Sequence, residues 1–141
     1  MAETATHITG GCLCGALRYE ISGEPLYAGL CFCEDCRKAS GSGFIPFMGV
    51  DAGGLTLKGE SRSSEVSAFR GGVATRNHCA RCGGLVFGGV RGESDSFTIY
   101  AGSLDDPSQF HPQIAIFAKR RPAWAIIPEG LTVFNEMPPS A

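Results

Sequence analysis

The sequence predicts an all-β fold, on three observations: short runs with an apolar residue at every second position, glycines scattered along the whole chain, and no sustained helical period. In GALRYEIS (15–22), Leu17, Tyr19 and Ile21 alternate with Arg18, Glu20 and Ser22, the pattern of a half-buried strand. The 20 glycines suit many tight turns, since glycine takes positive φ without steric cost.

In chain order, further strands are expected at GFIPFMGV (43–50), LTLKG (55–59), SEVSAFR (64–70), GGVATRNH (71–78), GLVFGGV (84–90), SFTIYAG (96–102) and IAIFAKR (114–120), each bounded by Gly, Pro, Ser or Asp. EDCRKAS (34–40) is the best helical candidate, a turn or two long. DDPSQF (105–110) reads as a turn or a single helical turn with proline near its start. No repeat and no break in composition divides the 141 residues, so one domain is expected over 1–141, ending in a loose PPSA tail. A chain of this length buries roughly 68–70% of its unfolded surface and does not strictly need a metal to fold.

Composition excludes several functions. Hydrophobic residues at 43% and charged residues at 18% describe an ordinary globular chain rather than a disordered or membrane one. A net charge of −2 gives no basic footprint, so the counterion-release term behind nucleic-acid binding is weak and no nucleic-acid partner is expected. MAETATHITGG lacks the pattern of a secretory leader, and no apolar run approaches 18 residues. A cytoplasmic location, with no membrane partner, is the expectation; thiols stay reduced there, and clustered cysteines serve metals or chemistry rather than disulfides.

Seven cysteines fall into three groups: Cys12 and Cys14 in GGCLCGAL, Cys31, Cys33 and Cys36 in CFCEDC, and Cys79 and Cys82 in NHCARCGG. A C-x2-C pair followed by glycines has the form of a zinc knuckle, in which the turn aims two thiolates at one point and glycine leaves room for backbone amides to approach the sulfurs. Spacing alone permits 79/82 to join either 33/36 or 12/14. Both choices close one four-thiolate site and leave three cysteines. Four thiolates around zinc make a structural site, whereas three protein ligands leave a position for an exogenous ligand, for which a soft thiolate is suited.

GGCLCGALRYE, CFCEDCRKASGSGF, RNHCARCGGLVF, YAGSLDDPSQFHP and RPAWAIIPEGLTVFNEMP, in that order, resemble the glutathione-dependent formaldehyde-activating enzyme family, which also includes centromere-protein-V-like domains. The resemblance spans about residues 7–138, with 139–141 as a tail. It implies a β-tent fold, several small coiled antiparallel sheets around zinc, with two zinc ions per chain. Cys12, Cys14, Cys79 and Cys82 would be the structural zinc site, and Cys31, Cys33 and Cys36 the catalytic one. The implied partners are a small thiol such as glutathione and an aldehyde, and the implied activity is that of a carbon–sulfur lyase of the S-(hydroxymethyl)glutathione synthase type. A noncatalytic zinc module or thiol carrier is the alternative from another class. Phe32 stands where the family commonly has His between the cysteines, and near Ala115 another frequent His is replaced.

The remaining polar residues carry plainer expectations. His78 neighbours Cys79 but points to the opposite face of a strand, and His7 and His111 lie among polar and turn residues. Lys119, Arg120 and Arg121 could meet the carboxylates of a glutathione-like ligand, or form a solvated run at a strand end. Asp105 and Asp106 before Pro107 read as a turn and cap rather than an acid/base pair. Trp124 is expected in the core or a pocket wall, and Gly41 and Gly43 in a loop that lets backbone approach a ligand.

Overall fold

The computed structural model describes residues 6–139. Residues 1–5 of the segment read for a leader, and 140–141 of the expected tail, lie outside the described residues. The elements are β1 (His7–Gly11), β2 (Arg18–Ser22), β3 (Tyr27–Cys31), α1 (Glu34–Ser40), β4 (Ile45–Asp51), β5 (Leu55–Lys58), β6 (Ser61–Ser67), β7 (Val73–Cys79), β8 (Leu85–Gly88), β9 (Ser96–Tyr100), β10 (Ile114–Ile116) and β11 (Thr132–Val133). The all-β expectation holds, with one short helix where EDCRKAS placed it and a 3₁₀ turn at Pro107–Gln109.

Two sheets form. One runs β1-β2-β5, antiparallel throughout; the other, of eight strands, runs β11-β10-β3-β4-β9-β8-β7-β6, so β6 and β11 are its edges. The expectation of antiparallel pairing fails at one margin, where β10 runs parallel to both β3 and β11. Parallel neighbours need a crossover, and residues 117–131 supply one between β10 and β11.

Register fixes what each face of the large sheet carries, because side chains alternate along a strand. Ala28, Met48, Ile99, Phe87 and Asn77 face one another across five consecutive strands. This row is buried and packs, with Val50 and Phe97, against Ile8, Leu17, Tyr19 and Ile21 of the β1-β2-β5 side. Asn77 is its one polar member, and its Nδ2 donates to the carbonyls of Phe87 (3.2 Å) and Gly89 (2.8 Å) beside a bulge in the β7–β8 pairing.

The opposite face carries Tyr27, Gly49, Thr98, Gly88 and Arg76 in one row and Gly29, Phe47 and Tyr100 in the next. The glycines let rings lie flat on the sheet. A Cβ at Gly49 would collide with the Tyr27 ring, one at Gly29 would come within 2.8 Å of the Phe47 ring, and one at Gly88 within 2.8 Å of the Tyr100 hydroxyl. A floor of small residues with aromatic walls is thus built into the strand sequences.

Candidate functional site

The turn between β1 and β2 holds Cys12 and Cys14, β7 ends at Cys79, and the turn after it holds Cys82. The four sulfurs all lie within 4.8 Å of one another, with Cys12 and Cys14 at 3.7 Å and Cys14 and Cys79 at 3.8 Å. A tetrahedron with metal–sulfur bonds of about 2.3 Å has edges of about 3.8 Å, so the donor set fits zinc in size as well as in softness. Backbone N–H groups point at the sulfurs: Leu17 donates to Cys12 (3.3 Å), Arg81 and Cys82 to Cys79 (3.3 and 3.4 Å), and Gly84 to Cys82 (3.4 Å). Gly83, at φ 77°, makes the left-handed step that wraps the chain around them.

The other three cysteines converge around the start of α1. Cys31 ends β3, Cys33 caps the helix by accepting the Cys36 N–H at 3.3 Å, and Cys36 lies in its first turns. Their sulfurs also lie within 4.8 Å of one another. Glu34 and Asp35 at the first turn complement the helix dipole, and Gly41 at φ 68° ends the helix, its N–H donating to the Arg37 carbonyl at 2.9 Å.

In both clusters the thiols share charge unequally. Cys33 is held down to about 2 by the thiols of Cys31 and Cys36 and by the N–H groups of Cys36 and Asp35, while Cys31 is pushed up to about 11 by its neighbour Cys33. Cys36 is raised by the same two sulfurs. Despite partial burial, the Leu17 N–H and the sulfurs of Cys79, Cys14 and Cys82 bring Cys12 down to about 6. One sulfur of a crowded group ionises easily and the next resists, which is the condition a divalent cation relieves.

The trio opens into a cavity of about 560 Å³, and all three cysteines line it. Its floor is the glycine-bearing face of the large sheet. Tyr27, Phe47, Tyr100, Ile114 and Ile116 form apolar walls, Phe69 and Phe117 cover one side, and Arg70, Arg76 and Asp35 bring charge. None of Cys12, Cys14, Cys79 and Cys82 lines it. Burial pushes the Tyr100 phenol up to about 12, against the pull of the Arg76 guanidinium nearby. Phe117 holds a left-handed backbone at φ 54°, costly for a bulky residue, and its ring packs edge-on against Phe69 at 5.2 Å.

Sequence reading missed the wall. The alternation that places Tyr27 and Arg76 on the cavity side is interrupted by Gly29, Gly49 and Gly88, which erase the hydrophobic signal on that face.

The other residues singled out in the sequence lie elsewhere. Phe32, fully buried, turns away from the trio and packs with Leu30, Ala115 and Ala125, its ring 5.2 Å from that of Phe44. The two departures from the family's usual residues, Phe32 and Ala115, therefore meet in one patch of core outside the cavity. His78 belongs to neither cysteine cluster, and His7 and His111 are exposed, His7 standing 4.0 Å from Glu20. Lys119 pairs with Glu136, Arg120 lies 4.8 Å above the Phe69 ring, and Arg121 donates to the Ala125 carbonyl at 3.2 Å. Asp105 accepts from Arg18 and Thr9, and Asp106 from Ser108 at 3.0 and 2.6 Å, so both are structural. Trp124, expected inside, is 69% exposed because the crossover that carries it pairs with no strand; its ring edge lies over Gly43. Neither Gly41 nor Gly43 reaches the cavity.

Among the described residues no helix is long and apolar enough to cross a membrane. A family model described as glutathione-dependent formaldehyde-activating enzyme matches residues 7–120. A Halomonas elongata protein bearing the name "Putative glutathione-dependent formaldehyde-activating enzyme" is 34% identical over 80 residues, 53% of this chain and 51% of that one. The chain thus spans about half the length of that curated relative. The crystal structure of a Rhodobacter sphaeroides protein is similar in fold, with a TM-score of 0.52 at 21% identity, over 69% of this chain and 87% of that one.

Proposed function

Because the chain belongs to the glutathione-dependent formaldehyde-activating enzyme family, we propose that it is a zinc-dependent enzyme of carbon–sulfur lyase type, joining a glutathione-type thiol to a small aldehyde and cleaving the adduct in reverse. In this reading Cys12, Cys14, Cys79 and Cys82 hold a structural zinc, and Cys31, Cys33 and Cys36 hold a second, catalytic one. The contrast between the two clusters carries the proposal: four sulfurs complete a tetrahedron, while three leave one vertex and line a cavity of about 560 Å³.

In the forward direction a sulfur–carbon bond forms, the carbonyl π pair moves to oxygen, and the thiol proton ends on that oxygen. When bound at the trio, zinc would supply a thiolate at neutral pH by lowering the pKa of the incoming thiol. The chain's own residues position and enclose. Cys33 and Cys36 are fixed by the first turns of α1 and Cys31 by the β3 ladder, so the reaction position is held on two elements. Apolar walls keep water from the adduct, and the unaided addition of a thiol to formaldehyde is already easy, so orientation is the main contribution asked of them.

Metal counting with and without glutathione tests the proposal. Two zinc ions per chain are expected, one of them made exchangeable by the thiol, with chelator-sensitive hemithioacetal formation followed by carbon-13 NMR. A single tightly held zinc in both states, or formation unchanged by Cys33→Ser, would overturn the enzymatic reading and favour a noncatalytic zinc module.

A further inference from the structure

Arg76 on β7 lines the cavity beside the Tyr100 hydroxyl, and it makes no ion pair among the described residues. It is half-buried, and the one acidic side chain lining the cavity among the described residues, Asp35, is engaged with the Phe69 N–H at 3.2 Å. The second arginine of the cavity, Arg70, is occupied, its Nη1 donating to the Met137 sulfur at 3.0 Å with the guanidinium 5.9 Å above the Phe117 ring. Register ties Arg76 to the reaction position. Arg76 stands opposite Gly88, across which the Tyr100 hydroxyl reaches; Tyr100 faces Phe47, two residues from Ile45, which faces Cys31.

A guanidinium in a largely apolar wall, without a carboxylate partner, forfeits hydration and is stabilised by an incoming anion whose two oxygens match its fork. We infer that Arg76, with the Tyr100 hydroxyl beside it, is a carboxylate subsite, which anchors one end of the substrate while its sulfur or carbonyl carbon reaches the trio. The inference rests on reading the trio as the reaction position. Either substrate could bring the carboxylate, the thiol or the carbonyl compound, and the two are separable.

The test is calorimetric titration of the zinc-loaded protein and of its Arg76→Gln, Arg76→Lys and Tyr100→Phe variants, with two matched pairs of probes. Glutathione and its diethyl ester differ in the carboxylates of a thiol; 4-carboxybenzaldehyde and benzaldehyde differ in the carboxylate of a carbonyl. In the wild type, one carboxylate-bearing probe is expected to bind ten- to a hundredfold more tightly than its carboxylate-free mate. Arg76→Gln removes that advantage without weakening the carboxylate-free mate, Arg76→Lys restores part of it as a point charge, and Tyr100→Phe lowers it severalfold. The pair that responds identifies the source. An advantage that survives Arg76→Gln in both pairs, or no advantage in either pair, overturns the subsite. Two zinc ions with glutathione-dependent exchange in the same samples would show that the proposed function stands without it. The wild-type comparison of probes needs no variant to fold, and the unfolding midpoint of each variant separates lost binding from lost structure.

Discussion

Replacing Gly88 with alanine should separate binding from stability. The added Cβ would lie 2.8 Å from the Tyr100 hydroxyl oxygen, and 3.5 Å from both the Tyr100 ring carbon that bears it and the Thr75 carbonyl. Ordinary contact begins near 3.4 Å, so only the hydroxyl end must yield, by about 0.6 Å. Gly88 is not among the positive-φ glycines, so alanine fits its backbone. Reduced freedom of the unfolded chain contributes about 0.4–1 kcal/mol in favour of alanine. Crowding of the phenol costs about 1 kcal/mol. The two nearly cancel, and the melting midpoint should stay within about 4 °C of wild type. Affinity for the carboxylate-bearing probe should fall about fivefold, because the hydroxyl beside Arg76 has moved. Scanning calorimetry reads the first quantity and titration calorimetry the second. Unchanged affinity would show that the hydroxyl is not part of the subsite, and a loss of more than about 3 kcal/mol in stability would show that backbone rather than the ring had to give.

Other substitutions probe the remaining layers. Cys33→Ser keeps an acceptor for the Cys36 N–H, whereas Cys33→Ala removes it, so urea unfolding of the metal-free variants should place alanine about 1 kcal/mol below serine; under the proposed function both, once loaded, should bind one zinc fewer than wild type. Phe87→Ala, fully buried with its ring 5.9 Å from that of Phe97, should cost about 3–5 kcal/mol in the same assay. Arg18 and Thr9 hold the Asp105 carboxyl at about 2, below its usual 3.8. A folded-state pKa that is depressed stabilises above the unfolded value and loses that contribution as pH falls through the folded one, so the melting midpoint should drop between about pH 4 and pH 2. Asp105→Asn should drop less steeply there, and salt should shrink the difference because the pair is exposed. An identical acid profile for the two proteins would refute this assignment.

The all-β class was legible because β2 and β9 alternate cleanly, and α1 because EDCRKAS sits between a cap and Gly41. Strand β3 was not read, since YAGLC is small or apolar on both faces and is buried on both, leaving no alternation. β6 begins and ends three residues before SEVSAFR because Ala68–Gly72 closes the hairpin, with Gly71 and Gly72 at φ 101° and 77°. That turn carries Phe69 and Arg70 to the cavity, where no local pattern would have put them. The cysteine groups were visible as spacing. Which pairs with which was not, because that depends on β7 carrying Cys79 to the β1–β2 turn, a contact between residues 65 positions apart. Arg76 was hidden for a related reason: a charge on an alternating strand reads as solvent-facing until the opposite face is known to close into a cavity.

The margins of the large sheet bear on how the protein keeps company with itself. An unpaired strand edge is a template on which another chain can add, and long apolar edges seed aggregates. Here one margin is β6, SRSSEVS, exposed along nearly its whole length, with an arginine and a glutamate among its serines; the other is β11, two residues long. Neither offers a sticky rail to a second copy. Exchanging Ser64 and Glu65 for valines should turn the β6 edge into such a template and make the protein more prone to aggregate, as light scattering would read.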